Sequence, residues 1–144
     1  IGRPTPRAQV ADNDLALGMI IEGLSTSPFW KSMAVFVVED DAQNGPDHVD
    51  AHRSVLLVAS PYARRGATDS TLYTTSGVLR TIELVLGLPP MSQYDAAATP
   101  LTAAFTDRPD PRPYELRPAR VSLTETNGPD APGAQASRRM NLEE

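Results

Sequence analysis

Two histidines and an adjacent pair of aspartates lie within one short stretch of the chain. Asp40 and Asp41 come first, and His48 and His52, the only histidines present, follow in the same stretch. Neighbouring carboxylates repel each other, and a divalent cation offsets that repulsion. Carboxylate oxygen and imidazole nitrogen suit zinc, and also manganese, iron or calcium. These residue types at this spacing predict a divalent-metal site.

Each part of this pattern also has a simpler interpretation. Two adjacent carboxylates alone are more often a solvated acidic turn, and a single histidine before a strand is more often structural. His52, however, follows the aspartates by a loop long enough to fold back over them. His48 precedes His52 by four residues, so both rings would lie on one side if the loop made a helical turn. We therefore predict Asp40, Asp41 and His52 as metal ligands, with His48 as a fourth candidate.

Two apolar runs border this stretch. Residues 33–38 (MAVFVV) and 55–59 (VLLVA) are too short for helices and rich in β-branched residues. Such continuous runs are typical of strands that are covered on both faces of an α/β sheet. The acidic pair follows the end of the first run, at the sheet edge where open α/β sheets bind ligands.

Two helices are predicted around these strands. Apolar residues recur with helical spacing over about 12–25, after a proline-containing opening that reads as an extended connector. Asp14 would then lie in the first turn, where the helix dipole favours a negative charge; a ligand role is the alternative. The second helix begins near Thr74–Ser76 and ends at Gly87. Residues 101–105 are expected to pack back onto the sheet.

Other polar residues have competing interpretations as well. Thr74, Thr75 and Ser76 could supply a nucleophile, but they are better explained as a helix cap. Arg53, Arg64 and Arg65 flank the second apolar run, and a guanidinium is a good fork for phosphate. Exposed arginines are more often ordinary surface; Arg53 is the candidate for substrate binding.

Composition limits the classes of function. The net charge is −5 without a basic stripe, which argues against a nucleic-acid partner, and the absence of cysteine excludes disulfides and thiolate metal sites. No apolar run reaches the ~20 residues of a membrane span. Beyond Thr106 the chain is rich in Pro, Arg and Asp. We predict a domain over residues 1–106 and a tail over 107–144 that is disordered, or that alternatively lies over a neighbouring part absent from this chain.

The stretch resembles the phosphoesterase family of the alkaline-phosphatase-like superfamily, which includes acid phosphatases and phospholipases C. It is most similar to bacterial members whose phosphoesterase domain often follows a β-propeller. The segments that carry the resemblance are ADNDLALGMIIEGLSTSPFW, MAVFVVEDDAQNGPDHVDAHRSVLLVASPYARRG and LYTTSGVLRTIELVLGLPPMSQYDAAATP. They extend from about Ala11 to Phe105, and the EDDAQ-G-DHVD-HR core is the most specific part.

The resemblance implies a three-layer αβα sandwich and metal-dependent hydrolysis of a small-molecule or lipid phosphate ester. Asp40 and Asp41 match the pair that binds one metal in the family, and His52 matches the histidine that completes the other metal's shell. The family's Ser or Thr nucleophile, and an Asp and His upstream of the first helix, have no match here. The chain is therefore expected to be a C-terminal portion, inactive without the missing N-terminal part, and periplasmic or secreted.

Two other functions are consistent with the same residues. A non-catalytic binding module could keep the fold without the chemistry, although it would have no reason to keep both aspartates and both histidines. A sulfatase or phosphonate hydrolase could use the same sheet, and only the nucleophile would distinguish it.

Overall fold

The computed structural model describes residues 2–39 and 54–139. The chain divides into two compact units, one of Ile1–Thr26 with Pro113–Glu144 and one of Ser27–Arg112. The described residues contain α-helices as well as a small two-stranded sheet, as expected for an α/β chain. The predicted boundary at residue 106 and the disorder of 107–144 stay predictions.

The helices and strands have the following bounds. Helix α1 is Pro6–Ser25, strands β1 and β2 are Val35–Val38 and Leu56–Ala59, and helices α2, α3 and α4 are Thr75–Leu86, Gln93–Ala97 and Ala134–Arg139. Short 3-10 turns occupy Trp30–Ser32 and Thr102–Ala104. In the described part of the chain, no helix is both long and apolar enough to cross a membrane.

Helix α1 begins earlier than the prediction of a start near residue 12. Thr5 is its N-cap and accepts a hydrogen bond from the Ala8 N–H through Oγ1 at 3.1 Å. Pro6 occupies the first helical turn, where a missing N–H costs nothing and the fixed φ suits a helix. The prediction of an extended connector was wrong because it counted Pro4 and Pro6 as breakers. Asp14 is consequently an exposed residue in the middle of the helix, not in its first turn.

The first unit combines α1 with an extended segment that follows Pro113. The Tyr114 N–H donates to Ser25 Oγ at 2.9 Å, and the Leu116 N–H donates to Glu22 Oε1 at 2.8 Å. The N-terminal end of α1 is joined to the same segment through Thr5, whose N–H donates to the Glu125 carbonyl at 2.9 Å. The segment therefore runs antiparallel to the helix along its length.

The sheet of the second unit is an antiparallel pair. Val35 lies opposite Ala59, and the register continues to Val38 opposite Leu56. The prediction of a strand in each of the two apolar runs is confirmed. They are less buried than expected, since Val38 is 37% and Leu57 48% exposed.

Helix α2 confirms the prediction for Thr74–Gly87. Thr74 caps the helix by accepting from the Gly77 N–H at 3.3 Å, and Gly87 ends it at φ 68° in the left-handed region. The segment after α3 packs back onto the sheet as predicted: Phe105 lies 6.2 Å from Phe36 between ring centroids, and it forms a bridge with Ala63.

Candidate metal site

The predicted ligands lie in the connection between β1 and β2. Asp40, Asp41, His48 and His52, and the substrate-binding candidate Arg53, all fall within residues 40–53, outside the described residues. Their roles therefore stay predictions. The residues that border the connection on either side are described.

These bordering residues are joined to each other. The Glu39 N–H donates to the Val55 carbonyl at 3.1 Å, and the Val55 N–H lies 3.4 Å from Oε2 of Glu39. In an antiparallel pair, the end of one strand lies beside the start of the next. The chain therefore leaves the sheet after Glu39 and returns to it at Ser54, and these two points are adjacent to each other.

A metal site elsewhere in the described parts is not supported. Within residues 2–39 and 54–139, no group of three or more His, Asp or Glu side chains comes together in a way that could hold an ion. Asp14, for which a ligand role was the alternative, is exposed on α1. The stretch between Glu39 and Ser54 is thus the place in this chain where carboxylate and imidazole donors occur together in sequence.

The two described arginines of the predicted phosphate fork bind the main chain. Arg64 Nε donates to the Phe105 carbonyl at 2.9 Å, and Arg65 Nη2 donates to the Asp110 carbonyl at 3.2 Å and to the Arg112 carbonyl. Both guanidinium groups therefore hold the segment 105–112 beside the end of β2. This accounts for both arginines without a substrate.

Of the three Ser and Thr residues at the start of α2, Thr74 is the N-cap, as the sequence favours. An open cleft lies next to them, lined by Thr74, Ser76, Gln93, Tyr94, Ala97 and Ala98. The hydrogen bond from the Gly77 N–H to Thr74 Oγ1 accounts for Thr74 as a helix cap.

Sequence reasoning missed a pair of buried carboxyl groups, Glu83 of α2 and Asp95 of α3. They are 4% and 3% exposed, and both accept from the Met91 N–H, at 3.2 Å and 2.7 Å. The Ser92 hydroxyl donates to Asp95 and, with the Met91 N–H, lowers the pKa of the Asp95 carboxyl despite its burial. Arg80 forms an ion pair with Glu83 at 3.3 Å. The Ser92-x-x-Asp95 spacing, a capping-box pattern, was the signal available in the sequence.

Two further carboxylates, the exposed Asp69 and the half-buried Asp110, are likewise fixed by their neighbours. The Tyr73 hydroxyl donates to Asp69 at 2.7 Å and lowers the pKa of the Asp69 carboxyl. Hydrogen bonds from Arg112 lower the pKa of Asp110. Both groups serve loop structure. Comparisons of the sequence with protein-family models, with curated proteins and with solved structures find no match.

Proposed function

We propose that this chain is part of a metal-dependent phosphoesterase, the C-terminal portion of a three-layer αβα domain. The proposal rests on the donor set of residues 40–53 and on the resemblance of the surrounding sequence. The structural observation that supports it is the pairing of Glu39 with Val55. This pairing joins the two points between which all the candidate ligands lie.

The donor chemistry fits a hard or borderline divalent cation. Asp40 and Asp41 contribute carboxylate oxygens, His52 contributes an imidazole nitrogen, and His48 is the fourth candidate; the chain has no thiolate to compete. Zinc is the first choice, with manganese, iron and calcium as alternatives. A bound metal would lower the pKa of a hydroxyl nucleophile and offset charge on the phosphoryl oxygens.

The chain's own residues have distinct tasks in this proposal. The Asp40–Asp41 pair and His52 hold the cation, and Arg53 binds the phosphate of a small-molecule or lipid ester through its guanidinium fork. The nucleophile comes from a segment outside this chain. The isolated polypeptide is therefore expected to bind metal without turning over substrate.

Metal binding by the 144-residue chain is the direct test. Titration calorimetry with Zn²⁺, and separately with Mn²⁺, should show binding that Asp40→Asn and His52→Ala each weaken by about tenfold or more. Asp69→Asn is the matched control, because that exposed carboxylate is already bound by Thr71 and Tyr73 within its own loop. Binding that none of the ligand variants changes would refute the site.

A further inference from the structure

The first unit contains a short antiparallel ladder centred on Asn127. The Asn127 N–H donates to the Arg3 carbonyl at 2.9 Å, and the Gly2 N–H donates to the Asn127 carbonyl at 3.3 Å. Two residues earlier in the same segment, the Glu125 carbonyl accepts from the Thr5 N–H at 2.9 Å. We call these paired residues the Asn127 ladder.

The side chain of Asn127 adds two hydrogen bonds to this ladder. Its Nδ2 donates to the Arg3 carbonyl at 3.4 Å and to the Pro4 carbonyl at 3.2 Å. An amide can make both bonds because it carries two donor hydrogens, whereas a carboxylate carries none. A carboxylate at this position would place its negative charge against two carbonyl oxygens, and their repulsion would work against the Asn127 ladder.

Gly128, the next residue, gives Asn127 a possible reaction partner within the chain. The main-chain nitrogen that follows an asparagine can attack the side-chain carbon Cγ, and glycine obstructs this attack least because it has no Cβ. In the described parts of the chain, the Gly128 N–H makes no hydrogen bond, and a Cβ built on Gly128 would meet nothing within 4 Å beyond its chain neighbours. The attacking nitrogen is therefore neither bonded nor crowded.

We infer that Asn127–Gly128 is a site of self-modification whose product opens the Asn127 ladder. The Gly128 nitrogen forms a bond to Cγ of Asn127, the Cγ–Nδ2 bond breaks, and Nδ2 leaves as ammonia with the proton from the Gly128 N–H. Water then opens the resulting succinimide ring at one of its two carbonyls and gives aspartate or isoaspartate. Either product removes the two side-chain donors, and isoaspartate also inserts a methylene into the main chain of the ladder.

The structure makes the reaction depend on opening of the ladder. Ring closure turns the Asn127 side chain towards its own main chain, so Nδ2 must first leave the carbonyls of Arg3 and Pro4. An opening that leads to reaction yields a side chain that no longer fits the closed ladder. Because the chain cannot reverse the hydrolysis, the fraction of molecules with an open ladder grows with their age.

Peptide mapping of the full chain after incubation at mildly alkaline pH tests the reaction. The tryptic peptide 121–138 contains Asn127 and should convert progressively to its aspartate and isoaspartate forms. Gly128→Ala should slow the conversion severalfold, because its Cβ crowds the attacking nitrogen while meeting no other part of the structure. The chain unfolded in urea is the reference. No conversion of the folded chain, over a time in which the unfolded chain converts completely, would overturn the inference.

Amide exchange tests the effect on the ladder. The Thr5 amide should exchange slowly in the unmodified chain and faster both in converted chains and in Asn127→Asp, while the amides of α2 in the second unit stay unchanged. Asn13→Asp, at an exposed position of α1, adds the same charge and should leave Thr5 protected. Equal protection of Thr5 in Asn127→Asp and in the unmodified chain would overturn the inference, and so would fast exchange at Thr5 before any conversion.

Discussion

Glu39 and Val55 hydrogen-bond through the main chain at 3.1 Å, and Oε2 of Glu39 lies 3.4 Å from the Val55 N–H. The Glu39 carboxylate therefore points back to the strand pair. It is an anchor of the connection, while the adjacent Asp40 and Asp41 remain the carboxylates proposed as ligands. Because the β1–β2 pairing already holds the two ends of the 40–53 connection together, closing this loop adds no separate entropy cost to forming a site within it.

Under the proposed function, Asp41→Asn in a protein that includes the proposed N-terminal part should lower metal content and abolish turnover of a phosphate ester. An amide keeps the shape of the side chain but supplies no negative charge to the cation. Metal content by elemental analysis and phosphate release are the measurements. Glu39→Gln is a matched control and should leave both unchanged, since an amide oxygen can still accept from the Val55 N–H. Full metal occupancy with a normal rate in Asp41→Asn would refute the ligand role.

Thr81→Val should lower the free energy of unfolding of the second unit by about 1–3 kcal/mol. The buried Thr81 hydroxyl donates to the Gly77 carbonyl at 2.7 Å and accepts from the Leu101 N–H at 2.9 Å. Valine has the same shape but leaves the Leu101 N–H unpaired in a buried place. Thr81→Ser keeps the hydroxyl and should cost less in urea unfolding; an equal loss in both variants would assign the effect to the methyl group instead.

Gly77→Ala and Gly23→Ala should change stability in opposite directions. A Cβ at Gly77 would lie 2.5 Å from the Thr99 carbonyl oxygen, a main-chain atom that cannot move aside cheaply, whereas a Cβ at Gly23 meets nothing within 4 Å. Alanine should therefore stabilise α1 by about 0.5–1 kcal/mol at Gly23 through helix propensity and destabilise α2 at Gly77. Amide exchange resolved for each helix measures both, and a stabilised α2 in Gly77→Ala would contradict the close contact.

Local patterns were sufficient for α2 and for the identification of β1 and β2 as strands, although not for their antiparallel pairing. Thr74 and Gly87 are cap residues whose function depends on a few neighbouring atoms, so the helix ends could be predicted from the sequence. The start of α1 could not be predicted in the same way, because Pro6 can either break a helix or begin one. What decides is the cap from Thr5 and the bond of its N–H to Glu125, a residue distant in sequence.

The buried carboxyl groups illustrate a second limit of sequence patterns. In the sequence, Glu83 simply lies next to the apolar residues of α2. Its partner is the Met91 N–H, which it shares with Asp95, and this N–H reaches Glu83 only when the segment that leads into α3 packs against α2. For the candidate metal site the limit is reversed, since the sequence supplies the residues and the described structure adds little. Its residues were selected by type and spacing alone, and the described structure adds only that Glu39 and Val55 are joined.

The stability of the α2–α3 contact should fall in acid through Asp95. Hydrogen bonds from Ser92 and Met91 lower the folded-state pKa of this carboxyl below the ordinary 3.8. A lowered pKa means that its contribution is fully present above the unfolded value and is lost as the pH falls below 3.8 toward the folded value. Chemical unfolding across this pH range should show the loss, and Asp95→Asn should reduce the slope. An unchanged slope in Asp95→Asn would show that other carboxyl groups cause the acid sensitivity.

Amide exchange along residues 107–139 separates a disordered tail from a segment docked on α1. The hydrogen bonds of Tyr114 to Ser25 and of Leu116 to Glu22 predict slow exchange at these two amides. Glu22→Ala should speed exchange at Leu116, because it removes the carboxylate that accepts its N–H, whereas Asp14→Ala on the same helix should not. Fast exchange at both amides in the unmodified chain would support the sequence prediction of disorder. Slow exchange that Glu22→Ala abolishes would establish that the segment is held by α1.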